Sequence, residues 1–455
     1  MSAQTLEKIS DLVRRARHAG ADAADAVFVS STALGAGVRN GVTEELERSE
    51  TTDLGLRVFA GQKTAIVSTT TLDPTRFDGL IEQALAMARM LPDDKYAGLA
   101  QQGLTGTFTQ NALDLTDTAE PDANALLARA RAGEEAALAV EGVTNSAGSS
   151  ASFSRTEVIL VTSQDFAGSY ARTRHSTSVC VLAGKGDGMQ RDYDYHGTVH
   201  LADLEDAAAL GLSAGRKAVA RLNPSRPRTG KYPVVFHPRV ANSFLGHLVG
   251  AISGSSIARG TSFLKDKLGQ QIFAREITIT DDPTRLRGLR SRPFDGEAVQ
   301  GKPLALVENG VLQSWILDTR SARQLGLTSN GRAARGSSSP PAPSPTNLAF
   351  QPGSVTPAAL MADIKEGLFI TEMMGSSING LTGDYSRGAS GFMIRDGQIA
   401  EAAEEFTLAG NLLEIFASMT LADDLQFRFG SDAPTLRVDA LSLAGAYTVR
   451  RDQTP

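Results

Sequence analysis

The sequence contains almost no cysteine, no long apolar run and no excess of positive charge. Its single cysteine, Cys180, cannot form an internal disulfide, which favours a reducing compartment. No window approaches the roughly eighteen consecutive apolar residues of a transmembrane helix, and the first twenty residues lack the apolar core of a signal peptide. The formal net charge of −6 disfavours direct contact with nucleic acid. These absences predict a cytoplasmic protein that binds neither membrane nor nucleic acid.

The chain length predicts more than one domain, because 455 residues exceed what one ordinary hydrophobic core organises. Prolines, a glycine and basic residues are concentrated in Arg221–Pro233, which we interpret as an exposed linker. This linker separates an N-terminal domain, 1–221, from a C-terminal domain, 233–455. A further division of the first domain into sub-domains 1–100 and 120–221 stays open.

Helical and strand periodicities are mixed in the N-terminal region. Predicted helices lie at 6–16, 74–88, 123–139 and 202–220, and predicted strands at 53–69 (a hairpin), 152–163 and 168–182. Strand and helix do not alternate regularly, which favours an α+β fold over a doubly wound sheet.

The C-terminal region is richer in strand and turn patterns. Asn309-Gly310 and Asp396-Gly397 each separate two apolar runs, which predicts two tight hairpins. Thr356-Pro357 predicts a short helix that runs to Glu366 and ends at Gly367. We also predict a helix over 238–252.

One long segment of the C-terminal region has a loop composition. Thr328–Pro345 is rich in serine, proline and glycine, so it predicts a loop without regular structure. Such loops are usually mobile and often functional. A disordered spacer is the alternative interpretation, and both predict that proteases cut here first.

Two patterns suggest catalytic chemistry, and each is incomplete. Ser262 and Lys265 match S-x-x-K, in which a lysine activates a serine nucleophile, but the S-D-N and K-T-G motifs are absent. Asp192, Asp194 and His196 share one face of a predicted strand, where carboxylates and an imidazole would suit a divalent metal. Hydrogen-bonded side chains on a solvated hairpin explain the second pattern equally well.

Several long stretches, in a fixed order, resemble the TldD/TldE (PmbA) metalloprotease family. The stretches that carry the resemblance are Ser344–Gly353 (SPTNLAFQPG), Gly367–Ile399, Glu404–Leu412 (EEFTLAGNL) and Leu436–Gly445 (LRVDALSLAG). The resemblance covers nearly the whole chain. It implies the family's fold, with a mixed N-terminal domain followed by a strand-rich C-terminal domain of the TldD/PmbA type.

The family's catalytic TldD-type subunit binds zinc through a helical H-E-x-x-x-H motif and a later cysteine. The corresponding helix here is Asn242–Gly254, where Gly246, His247 and Ala251 occupy the positions of the first histidine, the glutamate and the second histidine. The segment Phe427–Ser431 contains no cysteine. The resemblance therefore implies a TldE/PmbA-type subunit with no catalytic, metal or cofactor residue of its own.

The resemblance also implies partners. Zinc is expected in a TldD-like catalytic subunit, and the heterodimer would process unfolded peptides, with Gly375–Gly391 and Thr328–Pro345 as candidates to line the substrate path. A homodimer of the isolated chain is compatible with the family pattern. Two alternatives stay open: an independent hydrolase that uses the serine–lysine or the metal pattern above, and a non-enzymatic regulatory protein, since the family has been named as a DNA gyrase modulator.

Overall fold

The protein has an α+β architecture in a computed structural model that describes residues 3–106 and 112–445. Its N-terminal region is built on an antiparallel six-stranded sheet in the order β3-β2-β1-β4-β5-β6. The strands are β1 Ala23–Arg39, β2 Val42–Ala60, β3 Lys63–Thr69, β4 Val143–Thr162, β5 Ala167–Ala183 and β6 Gln190–Thr198. The helices are α1 Ala3–His18, α2 Phe77–Met90, α3 Ala123–Leu138 and α4 Ala207–Ala220.

The four helices pack on one face of this sheet because each presents an apolar stripe at helical spacing. In α1 the stripe is Ile9, Leu12 and Val13, and it shares a core with Leu54 and Leu56 of β2. Helices α3 and α4 pack in the same way on β5. The predicted helices and strands of this region are therefore present, although β2 and β4 extend well beyond their predicted limits.

Strands β1 and β4 join the two halves of the N-terminal region. They pair in an unbroken register from Asp25 opposite Thr162 to Val38 opposite Ser149. Residues from both predicted sub-domains, 1–100 and 120–221, thus build one sheet. The domain limits 1–221 and 233–455 stay a prediction.

The C-terminal region contains a second six-stranded sheet, in the order β16-β15-β14-β7-β19-β17, and a five-stranded sheet, in the order β10-β9-β8-β13-β18. An additional pairing of β16 with β19 closes the first of these into a barrel. Its strands are β7 Gly230–Phe236, β14 Glu366–Ile378, β15 Asp384–Arg395, β16 Gln398–Asn411, β17 Met419–Leu421 and β19 Leu436–Ala444. The other strands are β8 Ile279–Asp282, β9 Leu304–Glu308, β10 Val311–Leu312, β11 Ala333–Ala334, β12 Ala342–Pro343, β13 Asn347–Phe350 and β18 Ser431–Asp432.

Short helices connect these strands. They are α5 Pro238–Ala241, α6 Ser243–Ile252, α7 Gly254–Ala258, α8 Thr319–Gln324, α9 Pro357–Met361 and α10 Leu412–Ala417. One large apolar core includes Phe244 and Leu248 of α6 together with Phe236 of β7 and Leu408 of β16. Within the described residues no helix is long and apolar enough to cross a membrane.

Both predicted hairpins are confirmed. Asn309 and Gly310 have φ values of 50° and 78° between β9 and β10, and Asp396 and Gly397 have φ values of 46° and 78° between β15 and β16. Two successive positive φ angles are typical of the tight turn whose twist matches that of antiparallel strands.

The helix predicted from Thr356 to Glu366 is wrong at its C-terminal end. Helix α9 ends at Met361, and Glu366 begins β14. The backbone carbonyls of Ile364 and Lys365 instead accept hydrogen bonds from the β15–β16 turn, at 2.8 and 2.9 Å. The turn lies thirty residues away in the sequence, so local periodicity gave no sign of it. The helix predicted over 238–252 is likewise interrupted, at Asn242 between α5 and α6.

Thr328–Pro345 is mostly irregular, as predicted, but it is packed against the rest of the protein, which disfavours the predicted mobility. The segment contains the paired strands β11 and β12, and Arg332 is buried against Asp281. Its next residues lie directly on β2, where an added Cβ at Gly55 would be 1.9 Å from the carbonyl oxygen of Ser337. Buried ion pairs and a close backbone contact therefore hold a segment whose composition resembles that of a loop.

Candidate functional site

Helix α6 carries the three positions that match the family's zinc motif. Gly246 is exposed, and a Cβ added there would meet no atom within 4 Å. Ala251 is only 7% exposed and belongs to the apolar core. Residues five apart on a helix are separated by about 140° of rotation, which agrees with this difference in environment. The two positions offer no ligand atom, and they do not face the same space.

His247 lies in an aromatic environment. Its ring centroid is 6.1 Å from that of Phe244 and 5.8 Å from that of Tyr385. Its Nε2 atom is buried and has no hydrogen-bond partner among the described residues. Burial, with a smaller contribution from the nearby Arg387 charge, lowers the pKa of His247 to about 4. The imidazole is therefore neutral at pH 7 and packs as an aromatic side chain.

Tyr385 shares the same environment. Its hydroxyl group is buried without a hydrogen-bond partner among the described residues, and burial raises the pKa of the phenol. A neutral imidazole beside a neutral phenol cannot substitute in kind for the carboxylate that activates water in a zinc peptidase. Of the three motif positions, only His247 belongs to this aromatic cluster, which it forms with Phe244 and Tyr385.

We expect His247→Leu to weaken the acid sensitivity of folding. The unfolded histidine takes up a proton near pH 6.5, whereas the folded one does so only near pH 4. The unfolded state thus binds more protons between these values, and stability falls as pH falls through this window. The variant should be as stable as wild type or more so at pH 7.5, because the unpaired Nε2 is removed.

Urea unfolding at pH 7.5 and pH 5.0 measures this effect. The loss of unfolding free energy between the two pH values should be smaller in His247→Leu than in wild type. His237, whose pKa burial also lowers to about 4, is present in both proteins and cancels in the comparison. His18→Leu, at an exposed helix end, is the matched control and should keep the wild-type pH dependence. Equal losses in wild type and His247→Leu would contradict the neutral, half-buried state of His247.

The residues of the predicted metal pattern lie on β6, but each has another partner. Asp192 accepts hydrogen bonds from Nη1 and Nη2 of Arg239 at 2.6 and 3.1 Å. Asp194 accepts them from Ser213 at 2.5 Å and from Lys217 at 2.7 Å. Burial opposes ionisation of both carboxyl groups, but these hydrogen bonds outweigh it and lower each pKa.

His196 is also engaged, since its Nδ1 atom accepts the backbone N–H of Glu205 at 3.1 Å. Residues 3–106 and 112–445 contain no group of three or more His, Cys, Asp or Glu side chains that could hold a metal ion. The metal interpretation of Asp192, Asp194 and His196 is therefore wrong. Asp192 instead joins the N-terminal sheet to the C-terminal region through Arg239, whereas Ser213 and Lys217 of α4 bind Asp194 within the N-terminal region.

Arg221 extends this ion-pair cluster, although the sequence placed it in an exposed linker. The residue is 8% exposed, and its Nη1 atom lies 2.7 Å from Glu372 and 3.4 Å from Asp192. Its Nη2 atom donates to the Ser390 hydroxyl at 2.7 Å. The exposed-linker prediction is wrong at this end because carboxylates on β6 and β14 neutralise the guanidinium and a hydroxyl on β15 accepts a hydrogen bond from it.

The serine–lysine pattern is not assembled as a catalytic pair. The Ser262 hydroxyl is buried, donates to the Ala251 carbonyl at 2.6 Å and accepts the Leu264 N–H at 3.0 Å. Lys265 is exposed, and no hydrogen bond joins it to Ser262 in the described part of the chain. The serine stabilises the turn after α7, and its oxygen is not free to act as a nucleophile.

A pocket of about 360 Å³ lies between β6 and the C-terminal end of β7. Tyr193, Tyr195, His237 and Phe369 are among the residues that line it. His237 Nδ1 accepts the backbone N–H of Arg239 at 3.2 Å, so the neutral ring carries its proton on Nε2. In this tautomer His237 has no free nitrogen lone pair with which to bind a metal.

The segment where the family pattern places a cysteine is held by hydrogen bonds. Asp432 Oδ1 accepts the backbone N–H groups of Arg428 and Phe429 at 2.8 and 2.7 Å. The Arg285 guanidinium lies over the exposed ring of Phe427. The segment lines a second pocket, of about 210 Å³, and contains no thiol.

Known proteins resemble the chain over nearly its whole length. The PmbA/TldA metallopeptidase C-terminal domain matches residues 229–445, the central domain matches residues 116–222, and domain 1 matches residues 24–88. Metalloprotease PmbA of Escherichia coli O157:H7 is 33% identical over 93% of this chain and 92% of its own length. A PmbA homologue of Haemophilus influenzae is 33% identical over 96% of both chains.

Solved structures show the same fold. TldE from Thermococcus kodakarensis superposes with a TM-score of 0.86 and 20% identity, over 96% of this chain and all of that one. A protein from Bacteroides thetaiotaomicron, described as a candidate modulator of DNA gyrase, superposes with a TM-score of 0.89 and 24% identity, over 98% of this chain and all of that one.

Proposed function

Because the chain belongs to the PmbA/TldD metallopeptidase family, we propose that it is the non-catalytic, TldE/PmbA-type subunit of a cytoplasmic heterodimer. Zinc and the catalytic residues would reside in a TldD-like partner, and the complex would process unfolded peptides. The observation that carries this proposal is the content of helix α6: glycine, a neutral half-buried histidine and alanine occupy the motif positions.

The residues of α6 do not supply the ligands that a catalytic zinc ion requires. A catalytic zinc ion needs about three protein ligands and one open position for water. Gly246 and Ala251 carry no ligand atom, and the Nε2 of His247 is buried among aromatic rings. Phe427–Ser431 adds no thiolate. The alternative of a hydrolase with Ser262 as nucleophile loses support because that hydroxyl already donates one hydrogen bond and accepts another.

This subunit would contribute to peptide binding through the barrel strands near α6. The β14–β15 pairing is irregular between Met374 and Ser377, and Met374 is 51% exposed. Arg387 Nε donates to the Gly375 carbonyl at 2.8 Å beside this interruption. Among the described residues β14 pairs with β7 only as far as Ile370, so its later residues pair with β15 alone. Main-chain groups at such a free edge bind extended peptides with little dependence on sequence. We therefore propose that Gly375–Gly391 lines the substrate path, whereas the packing of 328–345 favours a supporting role in the fold for that segment.

We expect the isolated chain to contain no stoichiometric zinc and to leave an unfolded peptide uncut. Mixing it with its TldD-like partner should produce peptidase activity that a chelator removes. The measurements are elemental analysis of protein purified without a metal-binding tag, and cleavage of a denatured polypeptide by each subunit and by the mixture. Ser262→Ala should leave the activity of the mixture unchanged if the variant is folded.

Two results would contradict the proposal. One is a tight one-to-one zinc content in the isolated chain. The other is chelator-resistant cleavage by the isolated chain that Ser262→Ala abolishes, which would favour the serine hydrolase. Binding to a TldD-like subunit without any gain in peptidase activity would favour the regulatory alternative, the role described for the Bacteroides protein of the same fold.

A further inference from the structure

Strand β2 exposes a long edge that has no outer partner. It spans Val42–Ala60, whereas β3 pairs with it only from Leu54 to Ala60. In the described part of the chain, residues 42–53 pair with β1 alone. An unpaired edge of this length presents a row of backbone N–H and C=O groups to any other chain, and proteins usually shorten or cover such edges.

This edge is strongly acidic. Between residues 42 and 53 the acidic residues are Glu44, Glu45, Glu47, Glu50 and Asp53, and the only basic residue is Arg48. The edge therefore carries four net negative charges. Arg48 pairs with Glu50 at 2.7 Å, and Arg39 lies 3.7 Å from Glu44.

Glu45 and Glu47 differ from the other glutamates of the edge. Both are exposed, and neither has an ion-pair partner among the described residues. They also point to the same face of the sheet, because strand side chains alternate. The edge thus offers two adjacent, uncompensated carboxylates to an incoming strand.

The edge is held in place before any partner binds. The buried carboxylate of Glu134 on α3 accepts the backbone N–H groups of Asn40 and Gly41, both at 2.8 Å, at the tip of the β1–β2 hairpin. Arg131 Nη2 donates to Thr43 Oγ1 at 3.2 Å. A preformed strand binds with a smaller loss of conformational entropy than a flexible one.

The charges determine what can pair with the edge. Two copies of this edge would bring eight net negative charges together, and like charges on adjacent strands destabilise the pairing. Two apolar side chains on the edge, Val42 and Leu46, are nevertheless 66% and 54% exposed. A strand of opposite charge would gain backbone hydrogen bonds, apolar contact and ion pairs at the same time.

We propose that residues 42–53 of β2 form a docking edge that binds, by strand addition, an extended Lys- or Arg-bearing segment of a different polypeptide. The backbone supplies affinity, and Glu45 and Glu47 select a basic strand. This site lies in the N-terminal sheet and does not depend on whether the subunit is catalytic. The rival explanation is that the charges only protect the edge from aggregation.

The probe is a labelled twelve-residue peptide of alternating threonine and lysine with blocked ends, and its binding to the full chain is measured by fluorescence anisotropy. One comparison peptide carries glutamate in place of lysine, and another carries N-methyl groups on alternate residues, which removes hydrogen-bond donors but keeps the charge. The edge-reversed variant is Glu44→Lys, Glu45→Lys, Glu47→Lys and Glu50→Lys. The matched control variant has the same net charge and reverses four exposed acids outside the edge: Glu7→Lys, Glu82→Lys, Glu135→Lys and Glu141→Lys.

We expect the edge-reversed variant to bind the lysine peptide at least about tenfold more weakly than wild type, with the control variant within about threefold. Wild type should bind the N-methylated peptide at least about tenfold more weakly than its parent. The glutamate peptide should bind only the edge-reversed variant. The smaller variant Glu45→Lys/Glu47→Lys repeats the test with less perturbation of the strand.

Three results overturn the proposal. The first is no measurable binding of the lysine peptide to wild type, as expected of an edge that is only protected. The second is an equal loss of affinity in the edge-reversed and control variants, which would show general attraction between charges. The third is undiminished binding of the N-methylated peptide, which would exclude strand addition.

Discussion

Replacing Asp25 with alanine is expected to lower the free energy of unfolding by about 3–5 kcal/mol. Asp25 is completely buried on β1. It accepts hydrogen bonds from Arg57 Nε at 3.1 Å and from Arg335 Nη1 at 2.6 Å. Two guanidinium groups would remain buried without this carboxylate, and an unpaired buried charge costs far more than the net contribution of the pair.

The environment of Arg335 makes the expected loss of unfolding free energy in Asp25→Ala especially large. Its side chain has no exposed surface, and its Nε and Nη2 atoms lack hydrogen-bond partners among the described residues. Asp25 is therefore the principal acceptor for this guanidinium. Because Arg335 lies in the segment 328–345 and Asp25 in the N-terminal sheet, the ion pair also fastens the two regions together.

Urea unfolding at pH 7 tests this expectation, with Asp53→Ala on the neighbouring strand as a less buried control that should change stability by no more than about 0.5 kcal/mol. Burial opposes ionisation of Asp25, but Arg335 and Arg57 outweigh it and hold its pKa below the ordinary value. Its stabilising contribution is thus complete above about pH 4 and is lost as pH falls through the folded-state pKa. A cost below about 1 kcal/mol for Asp25→Ala would show that the cluster is not a principal source of stability.

Replacing Arg332 with alanine is expected to make 328–345 the first site of proteolytic cleavage, whereas wild type should resist cutting there. Arg332 is 1% exposed and donates to the Asp281 carboxylate at 2.8 Å. It also donates to the carbonyls of Asn330, Lys302 and Asp281 at 2.6, 2.6 and 2.9 Å. Its removal leaves a buried carboxylate and three carbonyls without these donors, so local opening should become much easier.

Limited proteolysis with a broad-specificity protease, followed by mass spectrometry of the first fragments, locates the cut. Arg216→Ala, which removes an exposed arginine from α4, is the control and should give the wild-type pattern. First cleavage of wild type within 328–345 would restore the mobile-loop interpretation. An unchanged pattern in Arg332→Ala would show that the arginine does not hold the segment.

Local sequence patterns determined the elements whose signals lie within a few residues of one another. The apolar spacing of Ile9, Leu12 and Val13 predicts α1, and Asn309-Gly310 and Asp396-Gly397 predict their hairpins. The α+β class followed from the irregular order of such elements. The long matching stretches indicated the family, and the absence of ligand atoms at Gly246 and Ala251 can be seen in the sequence itself.

The state of the side chains at the candidate site depended on the tertiary structure. Nothing near His247 in the sequence indicates that Tyr385, over a hundred residues away, completes its aromatic environment. Asp192 and Asp194 have the spacing of metal ligands, and only the fold brings Arg239 and Lys217 to neutralise them. A carboxylate on a strand can bind a metal ion or form an ion pair, and the groups that the fold brings near it decide which of the two it does.

Partners distant in the sequence also explain why the packing of the segment 328–345 was not predicted. Its composition disfavours regular structure, and most of the segment is irregular. Arg332 and Arg335 are nevertheless buried by carboxylates 51 and 310 positions away in the chain. The sequence by itself determined those helices and hairpin turns whose signals are local, because they depend on neighbouring residues. The tertiary structure alone decided which charges are buried and paired, because those partners become neighbours only when the chain folds.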